Sequence, residues 1–294
     1  MNSSAVSTVI VGTLTDGATL SLIAAGFVVI YRATRVVTFA QGFFMVAGAL
    51  IFVALDGIGA LGLYGSLVIA AVLTGVISAI VFRGVLTRLI GVNHLVTTIA
   101  TIGIATAGLA VCDIVQGDQT MILRNEPLGF RVIKIAGLPF TPIDIFTIGL
   151  AVVVFALLLL GIQRTPIGLR MRAVADRPTL AAYTGISTGR ISALAWGLAG
   201  ATAALAGAAY VLTDQPAPET VYALGLAAFP AILLGGFDSI VGAIVGSLIL
   251  ALIQNIAIYN FSGQWEDVAS YGVLLIVLLL RPQGLFGSSE VTRL

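Results

Sequence analysis

The chain has 294 residues, 59% of them hydrophobic and 9% charged, where a soluble domain carries roughly a quarter charged residues. Water could not solvate such a surface, so lipid must cover most of it. A net charge of +1 gives no bulk attraction to nucleic acid, and one cysteine (Cys112) with one histidine (His94) leaves neither an intrachain disulfide nor a cluster with metal-ligand spacing.

The opening residues MNSSAVSTVIVGTLTDGATL hold no Lys or Arg before Arg32, so they lack the basic flank of a cleavable leader and are read as part of the mature protein. Apolar runs bounded by charges or turn residues predict spans near 18–31, 38–55, 65–82, 94–116, 143–162, 191–213, 222–235, 239–259 and 268–280. The short apolar segment 4–14 allows an extra interfacial or partly spanning helix. The expectation is an all-α, polytopic bundle of eight or nine spans with broken or re-entrant segments, forming a single membrane domain over residues 1–294.

Basic residues orient the bundle. With the tail after Leu280 in the cytosol, alternation places Arg32, Arg35, Arg83, Arg88, the arginines from Arg164 to Arg190, Arg281 and Arg293 inside. Arg124, Arg131 and Lys134 fall in the outer loop of about 117–142, which also holds Asp118 and Glu126. In that loop FRVIKIAGLPF alternates between Pro127 with Gly129 and Pro139, which suits a short hairpin. It serves either as a plug over helix ends or as part of a docking surface for a soluble binding protein.

The longest inner loop, about 163–190, reads QRTPIGLRMRAVADRPTLAAYTGISTGR, too polar for the bilayer core and too patterned for a floppy linker. Pro178 suits a first helical turn with Asp176 as N-cap, and Gly185 suits its end, leaving about two turns between them. Leu180 and Tyr183 share a face with Ile186 and form an apolar knob framed by Arg170, Arg172 and Arg177. Such a knob fits a groove on a partner protein, and equally a helix lying on an anionic leaflet.

Two short, glycine-broken segments occupy opposite halves of the chain: YRATRVVTFAQGFFMVAG, with Phe39, Gln41 and Gly42 interrupting the apolar pattern, and GGFDSIVGAIVG. Internally repeated transporter folds place such pairs at their solute sites, while the Gly242–Gly246 spacing also serves plain helix packing. In the span 94–116, Thr97, Thr101 and Ala105 follow at four-residue intervals beside Thr98. This weakly polar face either lines the path of a polar solute, with Gln41 and Asn255, or is satisfied within its own helix. The small residues Gly200, Ala204 and Ala208, with Ala199, Ala203 and Gly207, point to close helix approach and no solute contact.

The single lysine, Lys134, is not part of a GxxxxGK[ST] phosphate loop, so any ATPase is another chain. Apart from Asp113 and Asp144 near helix ends, the predicted spans contain no carboxylate, which weighs against an ion-coupled carrier. The lack of acid-base machinery weighs against an intramembrane enzyme.

Taken in order, SLIAAGFVVIYRATRVVTFAQGFFMVAG, the inner-loop stretch RTPIGLRMRAVADRPTLAAYTGISTGRI, AILLGGFDSIVGAIVGSLILALIQN and the closing LLIVLLLRPQGLFG make the chain resemble the LivH-type permeases of branched-chain amino acid ABC importers. The family's FA-H/Q-G element matches Phe39, Ala40, Gln41 and Gly42. Where the family often has Asp-Pro-Glu, this chain has Arg177, Pro178 and Thr179, which changes the charge offered to a partner. The resemblance implies an ABC importer permease fold in a bacterial cytoplasmic membrane. It also implies a coupling helix from about Met171 to Gly185, including Arg172, Asp176, Arg177, Pro178, Leu180, Ala181, Ala182 and Tyr183, seated in an ATP-binding subunit. No cofactor is expected on this chain, with ATP and magnesium on partner subunits. The implied partners are two ATPase subunits, a second permease subunit of different sequence, and an extracytoplasmic solute-binding protein. The alternatives are the same architecture importing urea, short amides or sugars, and a secondary carrier or channel without an ATPase.

Overall fold

In the computed structural model, residues 3–59, 61–89, 94–116, 120–124, 128–129, 131–281 and 283–287 are described. Their helices are α1 (Ser3–Thr34), α2 (Gln41–Ile58), α3 (Gly62–Gly84), α4 (His94–Gln116), α5 (Pro142–Arg164), α6 (Pro166–Asp176), α7 (Pro178–Tyr183), α8 (Thr188–Asp214), α9 (Pro218–Gly235), α10 (Ile240–Asn260) and α11 (Trp265–Leu280). A 3₁₀ turn covers Leu86–Leu89, and one hairpin pairs β1 (Ile133–Ile135) with β2 (Leu138–Phe140). Proline opens α5, α6, α7 and α9, where its fixed φ suits the first turn and its missing N–H is not needed. Thr141 and Asp144 add a reciprocal capping box to α5.

Helix α8 is the hub, packing along α1, α2 and α3, while α1 packs in turn along α10. Side-chain size explains how backbones come this close. Gly200 lies against Ser78 and the Thr74 carbonyl, Gly207 against Ala49 and the Met45 carbonyl, and Ala204 against Gly48. A Cβ at Gly200 or Gly207 would collide with that backbone, so these stripes serve helix approach in an environment without hydrophobic drive between helices. The larger buried side chains, Phe44, Phe52, Trp196, Leu20, Ile23 and Ile30, fill the space around the hub. Helices α4 and α5 instead turn Ile99, Ile114, Val152 and Leu157 outward, as lipid-facing helices do.

Among the described residues eight helices, all but α6, α7 and α11, are long and apolar enough to cross a membrane; the span expected at 268–280 falls in α11, whose 16 residues are too few by that measure. The segment 4–14 is not a separate helix: it is continuous with the first span in α1, because nothing from Ser3 to Thr34 breaks the helix. At about 1.5 Å per residue its 32 residues exceed the roughly 30 Å hydrocarbon core. Asp16 therefore lies inside a helix expected to start only at residue 18, and a carboxylate does occur within the first span. The sequence argument against an ion-coupled carrier loses part of its basis. The stretches 31–48 and 235–246, expected as broken segments, are connections between whole helices: Arg35–Ala40 links α1 to α2, and Gly236–Ser239 links α9 to α10.

The arginine-rich segments gather at one end. Arg35 and Asp176 face each other there, and Leu285 and Phe286 donate their N–H groups to the Leu234 and Gly235 carbonyls, so the tail satisfies carbonyls at the end of α9 that its own helix cannot. The acidic helix ends collect at the other, where Thr15 donates to Asp144, Asn255 to Asp16, and the Arg124 N–H to Asp56. Basic and acidic groups thus segregate to opposite ends of the bundle, a basic end and an acidic end. The hairpin turns through Ala136 and Gly137, both at positive φ, and β2 packs against α1. Pro139 sits within β2 opposite Lys134 and does not bound the hairpin. Asp118, Glu126, Pro127 and Arg293 lie outside the described residues, as does the side chain of His94.

Candidate functional site

At the basic end, α5, α6 and α7 form a corner whose shape is written locally. Thr165 is extended, closing α5 and opening α6, and its hydroxyl donates to the Gly161 carbonyl. Met171 and Val174 bury one face of α6 against the bundle, while Arg170 and Arg172 are exposed. The residue before a proline avoids helical geometry, and Arg177, at φ −147° and ψ 87°, breaks the chain between the two helices. The expected single helix from Met171 to Gly185 is therefore two. Asp176 is not the N-cap of the second: it is the last residue of α6, and Arg177 holds the N-cap position without a side-chain bond.

Helix α7 ends as the sequence predicts, and the ending is well made. Gly185 at φ 82° reverses the chain, its N–H reaching the Ala182 carbonyl and that of Ile186 reaching Ala181, both at 3.0 Å. These paired bonds form a Schellman motif, for which glycine is the unstrained residue. The reversal turns Ile186 toward the core, so it does not share the knob expected from spacing alone. Ala181 is buried beneath α7, Ala182 is exposed, and the knob is Leu180 at 50% and Tyr183 at 87% exposure. Two large apolar side chains thus project from a helix of six residues opened by Pro178 and closed by the Gly185 turn.

The polar residues expected along a path divide into separate groups. Thr101 accepts the Phe39 N–H at 3.0 Å and donates to the Thr98 carbonyl at 2.7 Å, and Thr98 donates to the Val37 carbonyl at 3.4 Å. These two threonines clip the α1–α2 connection to α4. Phe39 stacks on Phe229 at 5.4 Å, and Phe229 meets Phe27 and Phe237 edge-on. Gln41 is fully buried among Gly26, Thr202 and α8, donating to the Ala199 carbonyl at 3.1 Å, while its own Oε1 has no partner among the described residues. Gly42 crosses α9 at Tyr222 and Gly225. Asn255 belongs elsewhere: it lies toward the outer end, against Gly12, bonded to Asp16 at 2.8 Å.

Thr97 faces a different space. A cavity of about 390 Å³ opens at the basic end, walled by the ends of α1, α3, α4 and α8 and by Val174, Ala175 and Pro178 of the corner. Trp196 lines it, wedged between Phe82 and Phe44, with its backbone carbonyl accepting from Ser78. Sequence reasoning missed this cavity and Asp16. Arg35 was visible only as a charge, and its position beside Asp176 depends on how α6 folds back on α1. Among the described residues no group of His, Cys, Asp and Glu could hold a metal ion.

A bundle of membrane-spanning helices with a short, rigid, apolar-tipped corner on its basic face defines the membrane subunit of a transporter. Residues 9–278 match the family model "Branched-chain amino acid transport system / permease component", and the chain belongs to that family. It is 29% identical over 299 residues to the high-affinity branched-chain amino acid transport system permease protein LivH of Escherichia coli K12, covering 95% of each chain. Identity is likewise 29% to the permease protein BraD of Pseudomonas aeruginosa, over 97% of this chain and 96% of that one. The ribose import permease protein RbsC of Bacillus subtilis is 28% identical over 207 residues, 64% of this chain and 62% of that one. The solved structure "PsaBC from Streptococcus pneumoniae in complex with Fab" aligns at TM-score 0.49 and 12% identity, covering 94% of this chain and 92% of that one.

Proposed function

We propose that this chain is the translocating subunit of an ATP-driven importer of branched-chain or related hydrophobic amino acids, moved by separate ATP-binding subunits that grip α7. One observation carries the reading: Leu180 and Tyr183 stand exposed on a short helix at the basic end, which this scheme sets in the cytosol. An apolar pair in that position, framed by the exposed Arg172 and Arg177, suits a groove on a soluble partner. Closure of two ATPase subunits around ATP and magnesium would draw on α7, and the α5–α6–α7 corner would pass the displacement to α1 and α8, which it packs against. A second permease subunit of different sequence and an extracytoplasmic binding protein complete the assembly. For ATP to drive the cycle, the inward and outward states must differ by several kcal/mol in their contacts with these partners, about 5.5 kcal/mol for a full population switch.

Phe39, Gln41, Gly42, Thr97, Thr98 and Thr101 lie at the inner half of the bundle and form the inner reach of the path in this scheme, and Asn255 with Asp16 its outer reach. The partial likeness to a ribose permease favours one alternative, a sugar as solute. Binding of labelled L-leucine and of ribose to the cognate binding protein, followed by ATP-dependent uptake into proteoliposomes, separates them. Uptake of leucine that needs both ATP and the binding protein is the expected result. Uptake of leucine without an ATPase subunit would overturn the reading in favour of a carrier.

A further inference from the structure

The cavity at the cytosolic end has the features of a site for a small zwitterion. Its walls are mostly apolar, from Ala33, Val36, Phe82, Leu86 and Leu89 to Trp196, and its volume of about 390 Å³ falls within the range of small-molecule sites. At its edge stands a charged pair. Arg35 lines the cavity and faces Asp176, which is itself outside the lining and 71% exposed but lies between the lining residues Ala175 and Pro178 in the chain.

Two features set this pair apart from an ordinary surface contact. Arg35 occupies the position after α1 where the chain turns left-handed, at φ 54°, its N–H bonded to the Tyr31 carbonyl. Glycine would fit there without strain, so the position keeps a guanidinium at a backbone cost. The guanidinium also lies over the Tyr31 ring at 5.5 Å, which restrains it. Its separation from Asp176 is 3.6 Å, a long ion pair rather than a charge-assisted hydrogen bond, which a ligand with both charges can enter.

A cation and an anion at the mouth of an apolar cavity match, group for group, the carboxylate, ammonium and side chain of a hydrophobic amino acid. We propose that this cavity binds a hydrophobic α-amino acid from the cytosol, with its carboxylate on Arg35, its ammonium on Asp176 and its side chain among Phe82, Leu86, Leu89 and Trp196. Because Arg35 belongs to the end of α1 and Asp176 to the α6–α7 corner, the bound amino acid ties the corner to the bundle. A ligand that favours one position of the corner holds the transporter there, and accumulated product slows its own import. This inference rests on the proposed importer function.

The test uses the whole complex in proteoliposomes with ATPase subunits outward and charged binding protein in the lumen. L-leucine, isovalerate and isoamylamine are added outside with ATP. Leucine is expected to suppress ATP hydrolysis, and the two analogues, each lacking one charge, to need about tenfold more or worse. Arg35→Gln raises the leucine midpoint by a similar factor, and Val36→Trp, which fills the cavity, raises it as well; each variant is compared with its own uninhibited rate. Equal potency of the three compounds, or midpoints unchanged in both variants, overturns the proposal. A second readout is independent of transport: the fluorine resonance of a fluorotryptophan at Trp196, in a Trp265→Phe background, shifts with leucine in the parent and not in Arg35→Gln. Hydrolysis that ignores luminal binding protein while this shift persists removes the importer reading and keeps the site. Absence of the shift removes the site.

Discussion

Helices α8 and α7 are both rich in small and apolar residues, yet their shapes have opposite origins. Helix α8 is buried along most of its length, and its conformation follows from how closely α1, α2 and α3 approach it. Helix α7 has little tertiary support beyond Ala181, and its conformation follows from Pro178, Gly185 and the two bonds of its C-terminal turn. The difference explains what each offers. Most apolar atoms of α8 are used up inside the bundle, Leu194 and Leu198 excepted, and those of Leu180 and Tyr183 on α7 remain for something outside it.

The most damaging change to the buried member is Gly200→Leu, which drives a side chain into Ser78 and the Thr74 carbonyl. Overpacking of this kind costs about 1–3 kcal/mol or more, and a thermal scan of the purified protein should show a lower midpoint or no folded fraction. Gly149→Leu, on the outward face of α5 with open space around it, is the matched control and should leave the midpoint in place. Equal damage from both would erase the distinction between packed and free surfaces.

On the exposed member, Tyr183→Asp should leave the bundle assembled and reduce binding-protein-stimulated ATP hydrolysis roughly thirtyfold, the loss of one anchor worth about 2 kcal/mol. Undiminished stimulation would take α7 out of the coupling role. A smaller effect belongs to the connection between α1 and α2. Thr101→Val leaves the partly buried Phe39 N–H without its acceptor, at about 1 kcal/mol. Stability and transport should fall together in that variant, whereas Thr101 acting only as a path lining would lower transport with the melting point unchanged. Asp176→Asn should be least, below about 1 kcal/mol in stability, because the ion pair with Arg35 is long and Asp176 is 71% exposed.

The contrast between the two helices also marks what could be read without coordinates. Spans, their number and the basic face follow from composition and from where arginines fall, because lipid and membrane polarity act on sequence directly. The end of α7 was legible for the same reason: Gly185 writes its turn locally. Its start at Pro178 was legible too, but its cap was not. Asp176 looked like a cap from spacing, and the break at Arg177 instead makes it the end of another helix, paired across space with Arg35. Threonine spacing in α4 marked a polar face, but whether Thr98 and Thr101 hold solute or backbone depended on the α1–α2 connection lying beside them. Asp16 was lost because residues 4–14 read as a separate piece, when the helix simply continues through them.

The claim on which these comparisons turn is that α7 stands in the cytosol under an ATPase subunit. A Tyr183→Cys variant in a Cys112→Ser background, treated with a membrane-impermeant maleimide, tests it directly. The account predicts no labelling in intact spheroplasts, rapid labelling in inside-out vesicles stripped of ATPase, and protection when ATPase is restored. Labelling from outside intact cells, or labelling indifferent to the ATPase, would contradict it.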